Sequence, residues 1–89
     1  MRIRRRVVVH GLVQGVFFRD NCRREARSRQ VAGWVRNNDD GSVEAVFEGD
    51  PDAVTTLVDW AHQGPAGARV SRVEVAEEQP EGLSGFRVV

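Results

Sequence analysis

At 89 residues, with 13 basic and 13 acidic side chains, the chain carries no formal net charge and has room for one hydrophobic core. Every basic residue is arginine and tyrosine is absent, which excludes a P-loop lysine, a Schiff-base lysine and a phenolic acid or nucleophile. The one cysteine, Cys22, cannot close an intrachain disulfide, and with only His10 and His62 beside it a structural zinc site is short of ligands.

The N-terminal MRIRRRVVVHG has the basic start of an export signal, but its apolar run is only Val7, Val8 and Val9 and no small-residue cleavage site follows. No apolar run approaches the roughly 20 residues needed to span a bilayer. A cytoplasmic protein is therefore expected. Ile3 to His10 reads as a strand, with Val7 and Val9 on one face and the arginines outward, in a solvated strand end. The stretch VHGLVQGVFFR then carries two glycines four residues apart and leads into a helix from Arg19, whose apolar stripe is Phe18, Cys22 and Ala26. Asp20 suits the positive end of that helix. Val31 to Arg36, short and apolar, is a second strand. NNDDG is a turn, and SVEAVFEG alternates Val43, Ala45 and Phe47 against Glu44 and Glu48, completing a hairpin.

The second helix has the clearest signals. Asp50 is a natural N-cap, Pro51 takes the first helical position, and Val54, Leu57, Val58 and Ala61 repeat at i, i+3, i+4, i+7. Gly64 and Pro65 stop it. RVSRVEV and GFRVV close the chain as strands around the polar AEEQPEGLS. The order is β-α-β-β-α-β with a short final strand, over one domain of residues 1–89. This is the α+β, ferredoxin-like split βαβ sandwich, with a mostly antiparallel sheet and both helices on one face.

In that topology the first two long strands run parallel, so both end at the same edge of the sheet. Arg19 and Asn37, 18 positions apart, are thereby brought together. Gly11 and Gly15 let the loop curl, so that N–H groups from Gln14 to Arg19 can point inward at a helix N-terminus, where an anion is favoured. Arginine adds a planar fork of donors matched to phosphate oxygens. The pattern describes a phosphate pocket made mainly of backbone.

VHGLVQGVFFR resembles the first acylphosphatase signature and GWVRNNDDGSVEAVFEG the second, agreeing at Gln14, Val16, Arg19, Trp34, Asn37, Gly41, Val43 and Gly49. The resemblance covers nearly the whole chain. It implies a metal-independent hydrolase of acyl phosphates with no cofactor, a small-molecule substrate, no nucleic-acid or membrane partner, and a monomer whose site accepts phosphate or sulfate. By the same resemblance Arg19 and the amides of Gln14, Gly15, Val16, Phe17 and Phe18 hold the phosphate, and Asn37 positions the attacking water. Two departures stand out, since Arg29 and Gln30 occupy positions where the family has an apolar residue and a glycine.

Two other classes share the fold. A non-catalytic anion-binding regulatory domain would keep the pocket and lose turnover. An RNA-binding module could use the basic N-terminal strand, but the chain lacks an aromatic pair of RNP type and a basic net charge. His10 reads as a structural, half-exposed strand residue, His62 as a helix-end cation, Cys22 as core, and Trp34 and Trp60 as core or near-core packing.

Overall fold

A computed structural model describes all 89 residues. The elements are β1 (Ile3–Leu12), α1 (Phe18–Ser28), β2 (Ala32–Asn37), β3 (Val43–Gly49), α2 (Pro51–Gln63), β4 (Arg69–Glu78) and β5 (Phe86–Val88). They form one five-stranded sheet in the order β4-β1-β3-β2-β5. β1 pairs antiparallel with β3 and β4, β2 pairs antiparallel with β3, and β5 lies parallel to β2. β1 and β2 thus flank β3 in the same direction, and their C-terminal ends share an edge. The expected ferredoxin-like α+β sandwich is the fold.

Both helices bury one stripe against the sheet. Phe18, Cys22 and Ala26 from α1 and Val54, Leu57 and Ala61 from α2 meet Val7 and Val9 of β1, Val35 of β2, Val43, Ala45 and Phe47 of β3, and Phe86 of β5. Each such large apolar side chain contributes about 1.5–3 kcal/mol by leaving water. Burial pushes the Cys22 thiol up, so it stays neutral as a small core residue. Asp50 caps α2 by accepting from the Asp52 N–H at 3.2 Å, with Pro51 at the first position, as its sequence requires.

The α1 C-terminus explains Gln30. The Val31 N–H bonds the Ala26 carbonyl at 2.8 Å and the Gln30 N–H bonds the Arg27 carbonyl at 3.2 Å, which is a Schellman motif. Its C′ position needs a left-handed residue, and Gln30 supplies it at φ 58, without glycine's freedom from a Cβ.

Two expectations are corrected by the fold. β1 runs on through Gly11 and Leu12, and its register against β4 shifts between His10 and Gly11. Gly11 therefore belongs to a bulge and not to the curled loop. A Cβ there would lie 2.1 Å from the Arg69 carbonyl oxygen, so close strand approach, not loop freedom, is what requires glycine. Nor do Arg4 and Arg6 belong to a solvated end, although Arg2 is exposed. Arg4 is only 4% exposed, donating to Glu78 at 2.8 Å and Glu48 at 3.4 Å, and Arg6 bonds Glu78 and Glu44. Every residue of β3 is buried, because Glu44 and Glu48, which alternate with its apolar residues, sit in an ion network that covers the helix-free face. Trp34 lies on that face, half-buried, with the Arg6 and Arg36 guanidinium carbons 5.4 and 5.1 Å from its ring centre.

Candidate active site

Where β1 and β2 end side by side, a cavity of about 400 Å³ opens between the loop after β1, the start of α1, and the ends of β2 and β5. Val13, Gly15, Phe17, Phe18, Arg19, Asp20, Arg23, Asn37 and Val88 line it. Arg19 and Asn37 thus share one concavity.

The loop's backbone carries the donors. Gly15 takes φ 77, which glycine adopts without strain, and Phe17 takes φ 63 as the residue preceding α1. No side chain caps this helix. The main-chain N–H groups of Gln14, Gly15, Val16 and Phe17 donate to no acceptor in the chain. Those of Phe18 and Arg19, in the first helical turn, have no intrahelical carbonyl to bond. A run of unpaired N–H groups at the positive end of a helix is a site for an anion. Arg19 is exposed and forms no ion pair, whereas its neighbour Asp20 is occupied by Arg23 at 2.5 Å and Arg24 at 3.1 Å.

Asn37 comes off the end of β2. Its side-chain oxygen is buried and has no hydrogen-bond partner in the chain. Leaving an acceptor so placed costs about 1–3 kcal/mol unless something else donates to it. Asn37 lines the same cavity as the unpaired Arg19 guanidinium. The turn after Asn37 is held firmly: the Asn38 N–H bonds the Ser42 carbonyl at 2.8 Å, and Asp40 accepts from the Ser42 N–H and hydroxyl at 2.9 and 2.6 Å. Those bonds hold the Asp40 carboxyl below its usual range.

Gln14 has a different place from the other loop residues. Its side-chain amide donates to the Asn38 carbonyl at 2.8 Å and the Ser42 carbonyl at 3.0 Å, tying the loop to the β2–β3 turn. It does not line the cavity, and neither does Val16, which packs half-buried on the core. The cavity residues that sequence reasoning did not single out are Val13, Asp20, Arg23 and Val88. Arg23 was legible in principle, since it lies one helical turn beyond Arg19. Val88 was not, because its place depends on β5 pairing with β2.

No group of three or more His, Cys, Asp or Glu side chains is gathered anywhere for a metal.

The geometry agrees with what comparison finds. The family profile described as Acylphosphatase matches residues 5–88. An acylphosphatase of Thermococcus kodakarensis is 60% identical over 88 residues, covering 99% of this chain and 97% of the relative. The structure of an acylphosphatase from Coxiella burnetii superposes with a TM-score of 0.94 at 42% identity, covering 99% of this chain and 93% of that one. The acylphosphatase from Bacillus subtilis gives 0.94 at 39% identity, with 98% of each chain covered.

Proposed function

The chain belongs to the acylphosphatase family and hydrolyses the carboxyl–phosphate bond of acyl phosphates, and we propose the following division of labour among its residues. The unpaired N–H groups of Gly15, Phe17 and Phe18, with Arg19, grip the phosphate. The Asn37 side-chain amide positions the attacking water and aims its oxygen at phosphorus. The observation that carries this reading is one cavity lined by both Asn37 and the unpaired Arg19 guanidinium, at the uncapped start of α1.

The chemistry needs little more. Water's oxygen forms a bond to phosphorus as the bond from phosphorus to the carboxyl oxygen breaks. The carboxylate leaves with its electron pair, and a non-bridging phosphate oxygen takes the water's proton. A carboxylate is a good leaving group, so no general acid is required. Phosphoryl transfer is largely positioning and charge stabilisation, which fixed donors supply in place from the outset. In this reading residues 1–89 act as one monomeric domain in the cytoplasm, on a small molecule alone, with inorganic phosphate or sulfate able to occupy the cradle. No helix is long and apolar enough to cross a membrane.

The test is phosphate release from benzoyl phosphate with a chelator present. Arg19→Ala is expected to abolish both turnover and inhibition by phosphate. Asn37→Ala is expected to lower kcat by about 100-fold or more while phosphate still inhibits, the loss typical of removing one positioned polar group. Normal turnover by Asn37→Ala would refute the water-positioning role. Binding of phosphate with no hydrolysis by the native chain would favour the regulatory-domain alternative.

A further inference from the structure

We propose that the ring of Phe17 reads the acyl half of the substrate and gives the enzyme a preference for aromatic and bulky apolar acyl groups. The proposal rests on the assignment of the phosphate cradle given above. Phe17 is built unlike a residue retained for folding. It is 78% exposed, so its ring gains little of the stabilisation that burial gives a phenylalanine. It also sits at φ 63, in the left-handed region that costs a residue with a Cβ about 1 kcal/mol. It holds the position before α1, where Asp or Asn would tolerate the backbone and cap the helix as well. Strain, exposure and a missing cap coincide in one residue, and that residue borders the cavity.

The cavity wall narrows the role. Its polar part is Arg19, Asn37 and the Asp20–Arg23 ion pair; its apolar part is Val13, Phe17, Phe18 and Val88. Val13 and Phe18 are 1% and 2% exposed and spend their surfaces on the core. Phe18 packs on Trp60 with ring centres 5.1 Å apart. Val88 is 38% exposed, but it lies on β5, against the strand that ends in Asn37. In an in-line displacement the leaving carboxylate departs on the side of phosphorus away from the attacking water. An acyl group therefore projects away from Asn37, toward what the loop offers. The loop's exposed apolar cavity residue is Phe17. An aryl acyl group can stack offset or edge-on against its ring, while a methyl group gains far less.

The experiment compares kcat/KM for benzoyl phosphate and acetyl phosphate in the native enzyme, Phe17→Leu and Phe17→Gly, with thermal unfolding to verify folding. Both variants keep the main-chain N–H, and glycine suits the left-handed backbone. The ratio of benzoyl to acetyl kcat/KM is expected to fall about tenfold in Phe17→Gly and by less in Phe17→Leu. A ratio within about twofold of native in both variants would overturn the proposal and leave the phosphate cradle standing. A native enzyme that hydrolyses neither substrate would overturn both.

Discussion

Gln14 sits among the loop amides, yet its side chain serves a neighbouring turn. By bonding the carbonyls of Asn38 and Ser42 it couples the strand-one loop to the residue that follows Asn37. Removing it leaves both halves of the site present but loosely related. Gln14→Ala is expected to cost about 1–2 kcal/mol in urea unfolding, from two lost hydrogen bonds to backbone. It is also expected to lower kcat/KM about tenfold, because small misplacement of aligned groups is expensive in rate. Asn37 should behave oppositely. Its buried oxygen is unsatisfied within the chain, so Asn37→Ala is expected to unfold at no lower urea concentration than the native protein while losing turnover.

Helix α1 serves the site at one end and holds strain at the other. Its N-terminus is left uncapped, with the donors free, and its C-terminus closes on Gln30 at φ 58. The Schellman bonds are made despite that residue, and Val31 and Ala26 meet in the core beside it. Arg29 extends toward Glu25 at 3.9 Å, an exposed pair one turn apart that contributes little. The departure at Gln30 is therefore one of backbone conformation. Gln30→Gly is expected to raise the unfolding free energy by up to about 1 kcal/mol, since relief of the left-handed conformation outweighs glycine's greater freedom when unfolded. Activity should not change, because this end of the helix is remote from the cavity. A chemical denaturation curve and the benzoyl phosphate assay together check both statements.

Across the molecule, the helix-free face of the sheet is closed by charge. Glu48 is completely buried and accepts from Arg2 at 3.1 Å and from the N–H groups of Glu81, Gly82 and Leu83 at 2.8–2.9 Å. This fastens the segment between β4 and β5 to the central strand. Burial alone would raise its carboxyl, but those hydrogen bonds outweigh it and hold the group at about 2, against an ordinary 4.5. Glu78 is held low by Arg6 and Arg4. Glu44 is held low by Arg36, Arg6 and Asn38, which together outweigh its burial. A carboxyl depressed in the folded state contributes stability that is whole above its unfolded value and is lost as pH falls toward its folded one. For Glu48 that window runs from about 4.5 down to about 2. Thermal unfolding temperature should therefore fall steeply below pH 4.5. Glu48→Gln is expected to cost about 3 kcal/mol at neutral pH, chiefly by leaving buried Arg4 short of a partner, and to flatten that acid limb.

The order of elements, both helix stripes, the Asp50–Pro51 cap and the meeting of Arg19 with Asn37 were all legible in the sequence. Each follows from local periodicity, capping chemistry or the parallel course of β1 and β2. What escaped sequence reading depended on partners distant along the chain. Gly11 reads as loop until β4 lies against it. Arg4 reads as solvated until cross-strand pairing sets it beside Glu48, and Val88 enters the cavity only through β5. Residue types and short spacings declare which groups a chain owns and how each segment coils. Whether a charge is buried, a donor left free or an oxygen left without a partner is decided only when strands 34 or more residues apart come into register.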